Sequence, residues 1–225
     1  MVVKTTTMLA TTGGSDRVRG LGIVHWFDFD AENNIPTYYS VVLLFISAFI
    51  LWIISAQSQD KKHSFFKHWR FLSLFFLLMS LDEAVGFHEN LIEPTKAVLH
   101  LKGVFSFAWI VPALFFVIAM AIYYIPFLKH LPSRTRKGFL LSAAVYLSGV
   151  FVLEALDGAY LNTFGQSIQV AGAGWHGMIY AVLTSLEEFC EFSGIIIFIG
   201  ILISYLQTEF GPIQISFLSG KESSR

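Results

Sequence analysis

The stretch "FLLMSLDEAVGFHENLIEP", residues 76–94, begins as an apolar helix and then adds carboxylates and an imidazole to its second half. The groups concerned are Asp82, Glu83, His88 and Glu89. Ionisable side chains within a membrane helix are costly, and they mark functional sites more often than structural ones. The stretch therefore predicts a membrane helix that carries a polar site.

The composition of the whole chain is that of a membrane protein. Of its 225 residues, 55% are hydrophobic and only 14% are charged. A soluble domain has about 25% charged residues. The net charge of −1 gives no reason to expect nucleic acid as a partner. The predicted partner is the lipid bilayer, with other membrane proteins or a second copy of the chain as further candidates.

Five apolar runs are long enough to cross a bilayer, whose hydrocarbon core of about 30 Å takes about 20 helical residues. They are residues 38–57, 71–90, 104–128, 138–158 and 178–206. We predict an all-α, polytopic helix bundle of about five transmembrane helices. Its predicted parts are an extracytoplasmic tail and interfacial segment at 1–37, a membrane domain at 38–206 and a cytoplasmic tail at 207–225. Trp109, Tyr160 and Trp175 fit an aromatic belt at the membrane surface.

The loops differ in their basic residues, which predicts an orientation. The 58–70 and 129–137 loops carry four Lys or Arg residues each, the 91–103 loop carries two and the 159–177 loop none. Basic loops stay in the cytoplasm. We therefore expect a plasma (inner) membrane protein with its N-terminus outside and its C-terminus cytoplasmic. The glycines of the 159–177 loop suggest a flexible segment over the outer surface.

With this orientation, acids from three spans lie at similar depth, between the midplane and the outer surface. The sequence predicts a pocket formed by Asp82, Glu83, Glu154, Glu187, Glu188 and Glu191. Its predicted rim consists of His88, Glu89, Asp157 and His176. On a continuous second helix Asp82 and Glu89 share a face, whereas His88 points about 120° away from Asp82.

No Lys or Arg occurs within the predicted spans, so salt bridges cannot neutralise these acids. Shared protons, a bound cation or a water-filled cavity remain. The leading hypothesis is a metal site that draws on all ten residues, because helix bundles with metal centres take carboxylates from several helices. An oxygen-rich ligand set favours Fe, Mn, Mg or Ca over Zn or Cu, and no other cofactor is indicated. Such a site could be catalytic, which leaves open whether the protein is an enzyme.

Two other functions fit the same pattern. Intramembrane carboxylates mark pathways for protons and cations, so transport or conduction is one alternative. The other is an accessory subunit of a larger membrane complex, since 23 phenylalanines suit packing against lipid or other subunits.

Two motifs carry a resemblance over roughly residues 26–94. The segment "FDFDAENNIPTYYS" (27–40) is followed by a span that ends in "SLDEAVGFHE" (80–89). This combination resembles a set of small bacterial multi-pass membrane proteins with a DEx4HE-type span end. The resemblance implies a multi-pass membrane fold and carries over no activity.

Overall fold

The structure, a computed structural model, describes residues 26–27, 29, 34–61, 65–99, 108–171 and 174–211. Its regular secondary structure in these ranges is helical, with no strand. The predicted fold class, an all-α membrane helix bundle, is therefore confirmed. Most of the two predicted tails, 1–37 and 207–225, lies outside the described residues.

Seven α-helices and two irregular helical segments follow one another along the described chain. They are α1 (Ile35–Asp60), α2 (Phe66–Val85), a 3-10 turn (His88–Leu91), α3 (Ile92–Leu99), α4 (Ile110–His130), α5 (Ser133–Leu147), a π-helical segment (Ser148–Leu153), α6 (Glu154–Ala171) and α7 (Trp175–Phe210). Within the described ranges, four helical stretches are long and apolar enough to cross a membrane: α1, α4, α7 and the continuous helix Ser133–Gly165. The chain is thus a membrane-embedded protein in contact with lipid.

The remaining predicted span corresponds to α2, which is 20 residues long. It differs from the four other helices because Lys67 and Arg70 near its start and Asp82 and Glu83 near its end leave only a short uncharged run between them. It packs antiparallel to α1 through serines. Three hydroxyls donate to carbonyls of the facing helix: Ser55 to Phe66 (3.1 Å), Ser73 to Ala48 (2.8 Å) and Ser80 to Val41 (2.9 Å). Small polar residues allow such close backbone approach, so α1 fixes the depth of the acids on α2.

The bundle has two chemically different ends. At the basic end, α1, α4 and α7 finish and α2 and α5 begin, and the main hydrophobic core lies there. Its centre is Trp69, which is 2% exposed and contacts the rings of Phe127, Phe139 and Tyr205. At the acidic end, α1, α4 and α7 begin and α2 and α6 finish.

Three predicted features near the acidic end are wrong. The second span was predicted to continue to residue 90, but α2 ends at Val85 because Gly86 adopts a left-handed conformation (φ 69°). Glycine at this position commonly ends a helix. The predicted flexible loop at 159–177 is mostly helical, since α6 continues to Ala171 and α7 begins at Trp175. The predicted 91–103 loop likewise contains α3.

Candidate functional site

The turn that follows α2 brings His88 back onto Asp82. The backbone N–H of His88 donates to Asp82 Oδ1 (2.9 Å), and the imidazole Nδ1 lies 2.9 Å from Asp82 Oδ2, within hydrogen-bond distance. The prediction that His88 points away from Asp82 was therefore wrong. It assumed a continuous helix, whereas the left-handed Gly86 reverses the chain between the two residues.

A cavity of about 950 Å³ lies between α2, α4, the π-helical segment with its flanking helices, and α7. Seven acids and one histidine line it: Asp82, Glu83, His88, Glu154, Asp157, Glu187, Glu188 and Glu191. Among the residues that the structure describes, its lining contains no Lys or Arg. We call the region around the seven acids the acidic part of the cavity.

Glu187 connects α7 to the acids of α6. Its carboxyl group lies beside those of both Glu154 and Asp157 and interacts with them. Thr184, one helical turn earlier, donates to Asp157 Oδ2 (3.1 Å). An ionised carboxylate only accepts hydrogen bonds, so a bond between two carboxyl groups requires a proton on one of them. Where these carboxyl groups hydrogen-bond with one another, they share protons that a cation could replace.

Trp109 closes the group of acids from the side of α4. Its indole Nε1 donates to Glu154 Oε1 (3.0 Å), and its ring centroid lies 4.9 Å from that of His88. The sequence predicted only an aromatic-belt role for this residue. In the structure Trp109 links the turn after α2 to α6 and lines the cavity.

The π-helical segment packs directly on the acidic face of α7. A Cβ added to Gly149 would lie 2.8 Å from Cγ of Glu191 and 2.9 Å from the carbonyl oxygen of Glu187. No side chain fits in this space. Gly149 therefore lets the two helices approach closely enough for the acids of α6 and α7 to meet. Glu191 also interacts electrostatically with Glu188, Glu83 and Glu154.

Two of the ten predicted site residues are not placed in this group. His176 does not line the cavity, because its Nδ1 lies 2.8 Å from the hydroxyl of Tyr160 and its ring stacks on Phe164 with centroids 4.5 Å apart. The side chain of Glu89 lies outside the described residues. Asp157, predicted at the rim, is 2% exposed and lies within the group.

The acids surround one space without forming a ready-made coordination site. In the described part of the chain, no three His, Cys, Asp or Glu side chains are arranged so that they could hold a metal ion as they stand. The predicted metal ligands would have to move to coordinate one. Metal binding therefore stays a prediction.

Sequence reasoning missed several residues of the site. Thr184 could have been found, because it precedes Glu187 by three residues and so lies on the same helix face. Trp109 could not, since 45 positions separate it from Glu154 and no helical spacing relates the two. Tyr146 and Tyr180 also line the cavity, and their apolar neighbours gave no signal.

We expect the variant Asp82→Ala to release the turn that carries His88. The backbone N–H of His88 would lose its acceptor, and hydrogen bonds to charged groups contribute about 1.5–3 kcal/mol. Amide exchange at His88, measured by hydrogen–deuterium exchange, should therefore become roughly 10- to 100-fold faster.

The matched control is Glu93→Ala. Glu93 pairs with Lys96 at 3.6 Å, but its side chain is 66% exposed, and exposed pairs contribute little. Exchange at His88 should stay as in the wild type. Equal rates in the wild type and Asp82→Ala would show that the carboxylate does not hold the turn.

Searches of curated proteins and of solved structures found no match. A family model does match, over residues 2–206, and this range includes every described residue that lines the cavity. The chain therefore belongs to the family described as a domain of unknown function, DUF8692.

Proposed function

We propose that this integral membrane protein binds a cation in the acidic part of its cavity, in exchange for protons. One observation carries the proposal: seven acids face a single space whose described lining has no Lys or Arg. Carboxylate oxygens suit Mn²⁺, Mg²⁺, Ca²⁺ or Fe²⁺, so a divalent metal ion is the first class of cation to test.

The electrostatics of the bundle support cation binding. Charges interact more strongly in a low-dielectric interior than in water, so neighbouring carboxylates repel one another when ionised. Glu191 has three acidic neighbours that interact with it electrostatically. A cation between them would replace repulsion by attraction. Binding would therefore stabilise the ionised form of the site.

The contacts of Glu187 indicate how binding depends on pH. Protons that Glu187 shares with the neighbouring carboxyl groups of Glu154 and Asp157 would have to leave before these groups could ligate a cation. Metal affinity at deprotonated ligands falls as protons compete. The affinity for a cation should therefore increase with pH.

The cavity favours binding over conduction through the membrane. Towards the basic end its lining is mostly apolar, with Met120, Phe127 and Phe139 among the contributing side chains, and the hydroxyls of Tyr124 and Ser142 there donate to backbone carbonyls. A proton or cation pathway needs polar groups along its length. Transport thus remains an alternative with less support. An accessory-subunit role and oligomer formation stay predictions.

The location of the site on one side of the membrane follows from the proposed orientation. The basic loops would keep the basic end of the bundle in the cytoplasm, which places the acidic part near the outer face of the inner membrane. Cations would then reach it from outside the cell.

The test is a measurement of Mn²⁺ binding to the full chain in phosphatidylcholine nanodiscs. Binding is monitored by electron paramagnetic resonance as the loss of the signal of free Mn²⁺. We expect the wild type to bind Mn²⁺, more tightly as the pH rises, and to release protons on binding. The variant Glu187→Gln/Glu191→Gln keeps the side-chain shapes and removes two charges. It should bind at least about tenfold more weakly, which corresponds to about 1.4 kcal/mol.

The matched control is Glu209→Gln, a carboxyl exposed at the basic end of α7. It should bind Mn²⁺ like the wild type. A wild type that binds no Mn²⁺, or an equal loss in the control and the double variant, would contradict the proposal. Thermal unfolding of each variant shows whether a loss of binding reflects a loss of fold.

A further inference from the structure

The cavity continues beyond the acids into a region that we call its apolar part. Its walls are formed by Phe76, Phe116, Met120, Phe139, Ala143 and Phe198. The polar residues Tyr124 and Ser142 also reach it, but their hydroxyls donate to the backbone carbonyls of His68 and Phe139. This part is therefore suited to hydrocarbon.

The cavity is long enough for a lipid-like molecule. Along α4 its lining runs from Pro112 to Leu128, which at about 1.5 Å per residue is about 24 Å. The hydrocarbon core of a bilayer is about 30 Å thick. The volume of about 950 Å³ lies near the top of the usual range of about 300–1,000 Å³ for ligand sites. Well-packed interiors contain few voids larger than a water molecule. A space of this size is larger than an ordinary packing defect and matches a ligand site in volume.

We propose that the cavity binds a single-chain amphiphile with an amine headgroup. The hydrocarbon chain would lie in the apolar part, and the ammonium group would lie among the carboxyl groups of Glu154, Asp157 and Glu187. This inference rests on the proposed function, because the ammonium group is the cation. The juxtaposition of a long apolar space and an acidic end within one cavity carries it.

The charge of the acidic part selects against other lipids. A fatty acid would bring a carboxylate and a phospholipid a phosphate into a group of acids, where like charges repel. An ammonium group brings donors and a positive charge. Trp109 adds an aromatic ring beside Glu154, and aromatic faces attract cations.

The two parts of the cavity contribute differently to binding. A hydrocarbon chain gains little by leaving lipid for an apolar cavity, because lipid tails are equally apolar. The headgroup therefore supplies the attraction. The apolar part provides space for the hydrocarbon chain of the ligand next to the acids that hold its amine. Filling this part with a larger side chain should therefore exclude only ligands with a long hydrocarbon chain.

The test is displacement of Mn²⁺ from the full chain in phosphatidylcholine nanodiscs by hexadecylamine, butylamine and hexadecanoate. We expect hexadecylamine to displace Mn²⁺ and the other two to be at least about tenfold less effective. Replacing Ala143 fills the apolar part. In Ala143→Trp, Mn²⁺ should bind as in the wild type, while displacement by hexadecylamine weakens about tenfold.

Ala144→Trp is the matched control, since Ala144 is the next residue of α5, is exposed and does not line the cavity. Ala144→Trp should behave as the wild type. Because a cationic amphiphile changes the membrane surface charge equally for both tryptophan variants, comparing them also corrects for this effect. Equal displacement by butylamine and hexadecylamine, or equal behaviour of the two tryptophan variants, would overturn the inference and leave cation binding intact. A wild type that binds no Mn²⁺ would instead contradict the proposed function.

Discussion

Gly194→Leu should separate α5 from α7 and destabilise the whole bundle. A Cβ at Gly194 would lie 2.7 Å from both Cβ and the backbone nitrogen of Tyr146, and 2.9 Å from its Cα. Two of these atoms belong to the backbone, so rotation of the tyrosine side chain cannot relieve the clash. Overpacking typically costs about 1–3 kcal/mol, and contact with backbone falls at the upper end. We expect Tm in detergent to fall by about 10 °C.

The same helix offers a control six residues away. A Cβ at Gly200 would meet nothing within 4 Å, and Gly200 is exposed. Gly200→Leu should therefore unfold within about 2 °C of the wild type, as surface substitutions usually change stability by less than about 0.5 kcal/mol. If Gly194→Leu were as stable as Gly200→Leu, α5 and α7 would not be in the contact described.

Trp69→Ala should cause the second large loss of stability. The indole is 2% exposed and packs against Phe127, Phe139 and Tyr205 at centroid distances of 4.8, 6.0 and 5.0 Å. Truncation of a buried Trp or Phe to Ala costs about 3–5 kcal/mol in soluble proteins. Inside a membrane the loss is mainly one of packing contacts, since lipid is as apolar as the core. We expect Tm to fall by about 10 °C.

Trp175→Ala provides the comparison for Trp69→Ala. Trp175 is 72% exposed at the first position of α7, so its truncation leaves no cavity. Thermal unfolding followed by circular dichroism should give the wild-type Tm for this variant. A fall of similar size in both variants would mean that Trp69 is not the centre of the core.

The all-α membrane bundle, and the meeting of acids from three of its helices, could be predicted because they depend on quantities that a sequence contains. Length and hydropathy locate membrane helices, and the basic residues of the loops gave a common depth for Asp82, Glu154 and Glu187. The structure places all three around one cavity. Predicting that these acids lie at a similar level requires only the number of residues between each acid and the end of its helix.

The contacts within the site could not be predicted, because they depend on how helices end and rotate. The left-handed Gly86 brings His88 to Asp82, and a C-terminal glycine is a signal that the sequence does contain. The bond from Trp109 to Glu154 has no such signal, since it depends on the packing of α4. The continuation of α6 through Gly165 was not predicted, because this part of the sequence contains residues that are common in loops.

The π-helical segment Ser148–Leu153 determines how α6 is rotated about the helix axis relative to α5. Such a segment contains one residue more than a regular helix would need, and each residue of an α-helix turns the chain by about 100°. Everything after Leu153 is therefore rotated by about that angle relative to α5. The extra residue therefore sets the direction in which the side chains of Glu154 and Asp157 point. Deleting one position between 148 and 153 would leave the composition almost unchanged and turn both acids away from Glu187. Alignments of related chains should therefore treat the length of this segment as part of the site, as informative as the acids themselves.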